Sequence, residues 1–299
     1  MSAAFVASRL AVSRALAASR EAAPLRVLRT ASGRVEEVSV EAYVAAVLPG
    51  EIGRRAPAPA LEAQAVAARS YALARRTRHT EAGADLCDAV HCQVFRGLPA
   101  ATPETRAAAE ATAGTVLVQR GRIIAAPFHA VCGGRTARPR DVWDDEENPD
   151  LTPVEDDACS GAPGFAWSFS LPRQELPRLA EALGIPEARF LEIYGRDDTG
   201  RVSMVRLAAP GGASRVVRGF DFRKAASEIW GWASVRSTAF EMAESRTEYF
   251  LTGRGTGHGA GMCQAGAIAR ARRGETRDAI LGLYYGGVLI ERLSASGPS

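Results

Sequence analysis

Glycine occupies every second position from Gly253 to Gly261, and this run restricts the fold more than any other feature of the sequence. If the run is extended, all five glycines lie on one face, and the side chains of Arg254 and His258 lie on the other. The bare face would let a ligand or another strand approach the main chain closely. No Lys-Ser or Lys-Thr pair follows, and Ala260 breaks the glycine spacing of dinucleotide-binding loops, so nucleotide binding is not indicated. The run predicts a packed glycine-rich strand or a binding site, and we favour the binding site.

The composition is typical of a globular protein with a substantial core, because 46% of the 299 residues are hydrophobic. The net charge is +3, and Lys224 is the only lysine, so nearly all of the positive charge comes from arginine. Arginine binds carboxylates and phosphates through paired hydrogen bonds, which suits an anionic polymer such as cell wall. The charges are scattered and form no basic stripe with interleaved aromatic residues, so we predict no nucleic-acid partner.

The sequence predicts neither a membrane-spanning helix nor an export signal. No stretch approaches the roughly 18 uninterrupted apolar residues of a transmembrane helix, so we expect a soluble protein. Arg9, Arg14 and Arg20 interrupt the first apolar residues, whereas a secretory signal needs an unbroken run of about seven to fifteen. Because these arginines have roughly helical spacing, we expect residues 1–25 to form an N-terminal extension with helical character. Residues 294–299 are expected to form a tail.

Hydrophobic periodicity predicts an α+β fold in which helices and short β-hairpins surround a cleft. The predicted hairpins cover residues 25–40 and 114–124, and the predicted helices cover residues 41–48, 61–76 and 103–113. Pro49 and Gly50 are expected to end the first of these helices. Residues 133–167 are rich in loops, residues 170–240 are expected to form a smaller inserted α+β lobe, and two helices are expected after the glycine run.

Four zinc-compatible side chains occur within fourteen residues: His79, Cys87, His91 and Cys92. Cysteine and histidine are the usual ligands of tetrahedral zinc, and four protein ligands are typical of a structural site. The spacing is not that of a zinc ribbon, and the adjacent His91 and Cys92 can bind one ion only if the chain turns there. A structural zinc site and a loop with free thiols or a disulfide both remain open.

The other three cysteines allow further chemistry. The total of five is odd, so at least one thiol lies outside any disulfide framework. Cys132 and Cys159 flank an acidic loop and could form a disulfide in an oxidising compartment. Cys263 lies five residues after His258, as in a cysteine hydrolase whose imidazole accepts the thiol proton. A thiol between a strand and a helix is more often a small buried residue, so we do not favour the hydrolase.

Ordered blocks of the sequence resemble the SpoIID/LytB family, the group of stage II sporulation protein D and the amidase enhancers. The resemblance covers roughly residues 26–293, which we expect to form one catalytic domain that includes the smaller lobe. The matching blocks are Tyr43-Val44-x-x-Val47-Leu48-x-Gly50-Glu51, Leu61-x-Ala63-Gln64-Ala65-Val66-Ala67-Ala68-Arg69-Ser70-Tyr71, Cys92-Gln93-Val94-Phe95-x-Gly97, His129-Ala130-x-Cys132-Gly133-Gly134-x-Thr136, Trp143, Arg236-Ser237-Thr238-x-Phe240, Gly253-Arg254-Gly255-x-Gly257-His258-Gly259-x-Gly261-Met262-x-Gln264-x-Gly266-Ala267 and Ile280-Leu281-x-x-Tyr284-Tyr285-x-Gly287.

The resemblance implies a lytic transglycosylase that cuts peptidoglycan glycan strands freed of their stem peptides, with Glu51 as the catalytic residue and Arg69 supporting it. The 6-hydroxyl of muramic acid would be the nucleophile and would close a 1,6-anhydro ring, so one carboxyl group suffices where an ordinary glycosidase needs two. Glu51 should then have a raised pKa in a desolvated cleft. We also expect Glu51 to lie near the run from Gly253 to Gly261.

The resemblance further identifies substrate contacts, partners and a location. We predict Gln64, Arg254, His258 and Gln264 as substrate contacts. Some members of the family bind zinc through a Cys/His loop similar to that of this chain, and others are non-catalytic enhancers of a cell-wall amidase, which is the alternative function. The family implies a location in the cell envelope or outside the cell. Cys263 departs from the family, which usually has serine at this position.

Overall fold

The computed structural model describes residues 23–143 and 149–293, in which helices and strands occur together in several small sheets, and this confirms the α+β prediction. The described residues divide into two compact units. The first unit contains residues 23–126, 274–280 and 287–293, and the second contains residues 127–143, 149–273 and 281–286. The predicted N-terminal extension lies almost entirely outside the described residues, as does the tail. Residues 170–240 belong to the second unit, and their separation as a smaller lobe stays a prediction.

The helices and strands are numbered in chain order. The helices are α1 Val40–Glu51, α2 Ala58–Ala74, α3 Pro103–Ala111, α4 Pro139–Val142, α5 Leu176–Ala182, α6 Gly219–Trp230, α7 Gln264–Arg272 and α8 Arg277–Tyr284. The strands are β1 Leu25–Arg29, β2 Arg34–Val38, β3 Leu86–Cys87, β4 Thr115–Gln119, β5 Arg122–Ile123, β6 Phe128–His129, β7 Ala166–Pro172, β8 Phe190–Arg196, β9 Val202–Ala208, β10 Ser214–Arg218, β11 Phe240–Glu244, β12 Glu248–Arg254, β13 Met262–Cys263 and β14 Leu289–Arg292. Among residues 23–143 and 149–293, no helix has the length and apolar character needed to cross a bilayer.

The first unit combines α1, α2 and α3 with two three-stranded sheets. Strand β1 pairs antiparallel with β2 and parallel with β3, and β4 pairs antiparallel with β5 and β14. These pairings confirm the predicted hairpins over residues 25–40 and 114–124. Helix α2 is rich in alanine and is buried along most of its length, including Ala65, Ala68 and Ala72. Such small side chains let neighbouring elements pack closely against the helix.

Helix α1 shows that the predicted helix end was wrong, because the helix continues through Pro49 and Gly50 to Glu51. Proline removes one intrahelical hydrogen bond and usually ends or kinks a helix. Here the loss falls in the last turn, and the Ile52 N–H closes that turn by donating to the Leu48 carbonyl at 3.0 Å. Glu51 is therefore a helical residue with a fixed direction rather than a loop residue.

The described residues of the second unit form three sheets, and two of these contribute side chains to a core of their own. Strands β7, β12 and β11 form one antiparallel sheet, β8, β9 and β10 form another, and β6 pairs parallel with β13. Trp167, Leu207, Phe222 and Tyr249 are buried in the core, to which α5 and α6 also contribute side chains. The two helices predicted after the glycine run are confirmed as α7 and α8.

The glycine run is not the extended ribbon that its alternation suggested. Strand β12 ends at Arg254, and the glycines at alternate positions from Gly255 to Gly261 have φ values of +70° to +106°. This region of backbone conformation is open to glycine and largely closed to other residues. The predicted close approach between two main-chain segments is present, because a Cβ on Gly255 would lie only 2.7 Å from the Val131 carbonyl oxygen. The run is a series of turns packed against the segment after β6.

Candidate functional site

Glu51 lies half-buried at the C-terminal end of α1, and one of its carboxylate oxygens is fixed by the main chain. Its Oε1 accepts a hydrogen bond from the Val94 N–H at 2.7 Å, whereas Oε2 has no hydrogen-bond partner among the described residues. Burial raises the pKa of Glu51, and the hydrogen bond from Val94 opposes this rise in part. Such a carboxyl group can hold a proton at a higher pH than an exposed glutamic acid and deliver it through its free oxygen.

The residue before Glu51 brings the helix end close to the Val94 segment. A Cβ on Gly50 would lie 2.8 Å from Val94 Cγ1 and 2.9 Å from the Val94 carbonyl oxygen, so only glycine fits without displacement. This approach explains how a main-chain N–H from a separate segment reaches a carboxylate on α1. The position of the Glu51 carboxylate against the Val94 N–H thus depends on the glycine at position 50.

Tyr43 is a further candidate residue of this site and was not predicted from the sequence. Its ring is fully buried and stacks on Phe95 with centroids 5.3 Å apart, and its hydroxyl has no hydrogen-bond partner among the described residues. Burial raises the pKa of Tyr43 well above its usual range, and the negative charges of Cys92 and Glu51 raise it further. The hydroxyl therefore stays protonated as a donor. Tyr43 and Glu51 are eight residues apart on one helix, so helical periodicity places them on the same face and could have indicated Tyr43.

Arg69 is buried in α2 and pairs with Glu41 at the start of α1. Only 1% of the Arg69 side chain is exposed; its Nε donates to Glu41 Oε1 at 3.0 Å, and its Nη2 pairs with Oε2. The guanidinium also donates to the carbonyls of Thr115 at 3.0 Å and Ala109 at 3.2 Å. Glu41 and Glu51 are separated by ten residues of helix, or about 15 Å along the axis. Arg69 therefore connects α1, α2, α3 and β4, and its direct participation in the reaction stays a prediction.

The four zinc-compatible side chains of the first unit converge. The ligand atoms of His79, Cys87, His91 and Cys92 all lie within 4.8 Å of one another. Cys92 Sγ lies 3.4 Å from His79 Nε2 and 3.8 Å from His91 Nδ1, and Cys87 Sγ lies 3.8 Å from the same His91 nitrogen. A turn carries the adjacent His91 and Cys92, with the Cys92 N–H donating to the Ala89 carbonyl at 2.9 Å. Because the chain turns here, the adjacent His91 and Cys92 can both bind the same ion.

The His/Cys cluster, defined as these four residues, is linked by sequence to the Glu51 site. Cys92 precedes Val94, the donor to Glu51, by only two residues, and Phe95 follows directly and stacks on Tyr43. The Phe95 N–H also donates to the Asp88 carbonyl at 3.2 Å. An ion held by the cluster would fix the segment that positions Glu51.

In the second unit, Arg254 lies exposed at the end of β12 and lines a groove with a volume of about 560 Å³. Arg135, Glu155 and Arg201 also line this groove. Arg135 pairs with Glu155 at 3.0 Å, and the Arg201 side chain donates to the Cys132 carbonyl at 2.6 Å. The Arg254 side chain makes no ion pair or hydrogen bond with other described residues, so it is available to an anionic group.

His258 is held by its neighbours rather than exposed on a bare strand. Its ring lies 4.6 Å from Trp143 and 5.5 Å from His129, measured between centroids, and its Nδ1 accepts from the Ala260 N–H at 3.1 Å. Burial, followed by the charge of His129, lowers the pKa of His258 well below its usual range. Burial and the charge of Arg201 likewise lower the pKa of His129 to about 3. Both imidazoles are therefore neutral over the physiological pH range.

The remaining predicted residues are buried. Gln64 in α2 has no exposed surface, and Gln264 in α7 has 8%. Cys263 has no exposed surface, and its sulfur accepts hydrogen bonds from the Cys132 and Gly266 N–H groups at 3.2 and 3.3 Å. A nucleophilic thiol has to reach its substrate, so this geometry does not favour the cysteine hydrolase.

Comparisons with known proteins show to which family the chain belongs. Residues 29–119 match the sequence model described as stage II sporulation protein, SpoIID. The chain is 31% identical to an uncharacterized protein of Brachyspira hyodysenteriae, over 86% of this chain and 67% of that protein. It is 25% identical to the stage II sporulation protein D of Bacillus subtilis, over 90% of this chain and 79% of that protein. It is also 25% identical to the amidase enhancer of Bacillus subtilis, over 82% of this chain but only 39% of that protein.

The matched segment 29–119 contains Glu51, Arg69 and the whole His/Cys cluster, and the longer alignments extend the likeness into the second unit. The family resemblance of the sequence blocks is thereby confirmed, and the chain belongs to the SpoIID/LytB family.

Proposed function

We propose that this protein is a lytic transglycosylase that cleaves the bond between N-acetylmuramic acid and N-acetylglucosamine in peptide-free glycan strands, with Glu51 as general acid and base. The observation that carries the proposal is the state of Glu51. Its carboxyl group is desolvated, its pKa is raised, one oxygen is held by the Val94 N–H and the other is free. A general acid needs this combination of a retained proton and a fixed direction.

The proposed reaction returns Glu51 to its starting state. The protonated carboxyl donates its proton to the glycosidic oxygen as the bond to C1 of the muramic acid breaks. The carboxylate so formed then accepts the proton of the 6-hydroxyl, whose oxygen bonds to C1 and closes the 1,6-anhydro ring. No water is consumed, and the nucleophile belongs to the substrate, which removes the entropic cost of recruiting a second molecule. Tyr43 is proposed to support this cycle, because its buried hydroxyl stays protonated and the charge of Glu51 contributes to its raised pKa.

Arg69 has a positioning role in this proposal. Its contacts join the start of α1 to α2, α3 and β4. Helix α1 then carries Glu51 at its other end. Arg69 thus supports the reaction through the placement of the helix and makes no contact with the sugar.

Arg254 is the substrate contact that the geometry favours most. Removal of the stem peptide leaves a free carboxylate on the lactyl group of muramic acid, and arginine binds carboxylates through paired hydrogen bonds. Arg254 is exposed in the groove of the second unit, and its side chain has no protein partner there within the described residues. His258 supports the backbone of the glycine run, because its Nδ1 accepts a hydrogen bond from the Ala260 N–H. Gln64 and Gln264 are too buried to contact sugar without movement and are proposed as supports.

The His/Cys cluster is proposed to hold a structural zinc ion. Its two thiols and two imidazoles form a complete tetrahedral donor set, and all four ligand atoms already lie within 4.8 Å of one another. The ion would cross-link the chain between residues 79 and 92. His79, Cys87, His91 and Cys92 would fill its coordination, so catalysis remains with Glu51.

A non-catalytic enhancer of a cell-wall amidase is the second candidate, because one relative is named amidase enhancer. In this function, the same surfaces would bind glycan, Glu51 would act only as a hydrogen-bonding residue, and an amidase would be the partner. Both functions place the protein in the cell envelope or outside the cell.

Incubation with peptide-free glycan strands, followed by mass spectrometry of the products, tests the two functions. We expect the wild-type chain to release 1,6-anhydro ends and Glu51→Gln to lose about 10²-fold to 10⁴-fold in rate, the usual contribution of a general acid or base. Glu110→Gln, which changes an exposed glutamate on α3 with no side-chain partner within the described part of the chain, is the matched control and should match wild type. Absence of 1,6-anhydro ends from wild type, or full activity of Glu51→Gln, would refute the catalytic proposal. Stimulation of an added amidase without such ends would support the enhancer.

The role of Arg254 is tested by comparing peptide-free strands with strands whose lactyl carboxylate is amidated. Arg254→Gln should raise KM about tenfold on the free carboxylate and leave kcat nearly unchanged, since it removes binding energy shared by ground and transition states. Arg246→Gln, an exposed arginine without a side-chain partner among the described residues, is the control. An equal effect of Arg254→Gln on both substrates contradicts carboxylate recognition.

A further inference from the structure

Three of the five cysteines meet a carboxylate inside the second unit. Cys132 follows β6, Cys159 ends a short 3₁₀ helix over Asp157–Cys159, and Cys263 ends β13 directly before α7. The ligand atoms of these cysteines and of Asp156 all lie within 4.8 Å of one another. All four side chains are 0% exposed. This thiol cluster is formed by residues other than those of the His/Cys cluster.

The distances suit one tetrahedral ion. Cys132 Sγ lies 3.2 Å from Cys159 Sγ and 3.7 Å from Asp156 Oδ2. Zinc–sulfur bonds of about 2.3 Å and zinc–oxygen bonds of about 2.0 Å place tetrahedral ligand atoms roughly 3.5–3.8 Å apart. The Cys132–Asp156 distance already fits this range, and the sulfurs of Cys132 and Cys159 would have to move apart by about 0.5 Å to fit it.

The carboxylate of Asp156 is oriented from outside the cluster. Its Oδ1 accepts from Arg270 Nη2 at 3.0 Å and from the Ala158 N–H at 3.2 Å, and its Oδ2 accepts from the Tyr284 hydroxyl at 2.6 Å. The same Oδ2 lies 3.7 Å from Cys132 Sγ. A Cβ on Gly266 would lie 2.1 Å from this oxygen, so the helix start has to pass close by. Metal-binding carboxylates and thiolates are typically fixed by such outer hydrogen bonds.

The charges of the surroundings also fit an ion. Three thiolates and the Asp156 carboxylate carry four negative charges, and Arg270 pairs directly with Asp156. Arg201, 3% exposed, donates from its guanidinium to the Cys132 carbonyl at 2.6 Å. These two arginines and one divalent ion would balance the four ligands. Buried charges need compensation of this kind because the protein interior solvates them poorly.

We propose that Cys132, Cys159, Cys263 and Asp156 bind a second structural zinc ion. Soft thiolate ligands select zinc, copper(I) or iron–sulfur clusters among the common metals, and one carboxylate with three thiolates in a closed tetrahedral set suits zinc. The ion would cross-link the segment after β6, the 3₁₀ helix and the start of α7. A disulfide between Cys132 and Cys159 would use only two of the four groups. It would leave Cys263 and the oriented carboxylate of Asp156 without a function.

The full-length double variant Cys87→Ser/Cys92→Ser separates this site from the His/Cys cluster. After purification under reducing conditions, elemental analysis should find one zinc ion per chain, and X-ray absorption at the zinc edge should find three sulfur neighbours and one oxygen. Asp156→Asn in this background should release zinc to a chelator at least tenfold faster. Asp157→Asn, which changes the adjacent exposed carboxylate, should not.

Several results would overturn the second zinc site. They are absence of zinc from the folded double variant, replacement of zinc by iron or copper, and a Cys132–Cys159 disulfide in mass spectra of unreduced protein. If the double variant does not fold, the wild-type chain decides the question. Two zinc ions per chain support the site, and one or none refutes it.

Discussion

Replacement of Arg69 by methionine distinguishes a structural from a catalytic role for this residue. Methionine retains most of the side-chain length but removes every hydrogen-bond donor. The ion pair with Glu41 and the bonds to the Thr115 and Ala109 carbonyls are then lost. We therefore expect the first unit to lose stability, and we expect enzyme that remains folded to retain its activity.

The size of the effect follows from the exposure of the two partners. Removing one partner of a buried ion pair usually costs 3–5 kcal/mol, because the other charge stays buried and unpaired. Glu41 is 39% exposed and can be hydrated once Arg69 is gone, which favours the lower end of that range. The expected loss is therefore about 3 kcal/mol for Arg69→Met. Arg106→Met, on the exposed side of α3 and without a side-chain partner among the described residues, should change stability by less than about 0.5 kcal/mol.

Urea unfolding followed by the circular dichroism of each variant measures the stability. Product formation at low temperature measures the activity of the folded fraction. Arg69→Met should show a lower unfolding midpoint and a kcat within a few-fold of wild type. The double variant Glu41→Gln/Arg69→Met should lose less than the two single losses combined, because the two residues share one interaction. If Arg69→Met unfolds like wild type but loses 10²-fold or more in kcat, the structural role is wrong and Arg69 acts in the reaction.

Three further predictions concern the Glu51 site. Burial raises the pKa of Glu51 above its usual value of 4.5, so the folded state is most stable when Glu51 is protonated, and it loses this stability as the pH rises through the raised pKa. Glu51→Gln, which carries no charge, should therefore resist urea better than wild type at pH 7. Below about pH 4.5 the two proteins should be equally stable. A lower stability of Glu51→Gln at pH 7 would contradict the desolvation. Gly50→Ala should lower kcat at least tenfold, because the new Cβ would collide with Val94. The control is Gly282→Ala, which changes a helical glycine with no neighbour within 4 Å and should leave kcat unchanged. Equal kcat in both variants would refute the close approach between Gly50 and Val94. Removal of zinc from the His/Cys cluster by a chelator should lower kcat in parallel with the zinc content. An unchanged kcat after the metal has left the cluster would show that the cluster does not influence Glu51.

Local sequence patterns predicted the elements well because short-range physics determines them. The two hairpins, the alanine-rich helix and the convergence of ligand residues within a fourteen-residue segment all depend on neighbours in the chain. The turn at His91 and Cys92 is also local. These features could be read from spacing and turn chemistry alone.

Features that depend on distant segments were missed or misjudged. Alternating glycines suggested an extended ribbon, but alternation alone does not reveal positive φ values, which depend on the segment that packs against the run. The partner of Arg69 lies 28 residues before it, and no periodicity connects the two. Cys132 and Cys263 are separated by 131 residues, so their shared cluster with Asp156 is visible only in the fold.

The continuation of α1 through Pro49 gives Glu51 a further property that suits an acid. The C-terminal end of a helix carries a partial negative charge, because its last carbonyl groups have no partners within the helix. This charge disfavours a carboxylate at Glu51 and therefore adds to burial, which already raises its pKa. The Val94 N–H acts in the opposite direction and keeps the carboxyl oriented. A helix that ended at Leu48, as the proline had suggested, would leave Glu51 in a loop without this effect, so the proposed role of Glu51 as an acid depends on the helical end of α1.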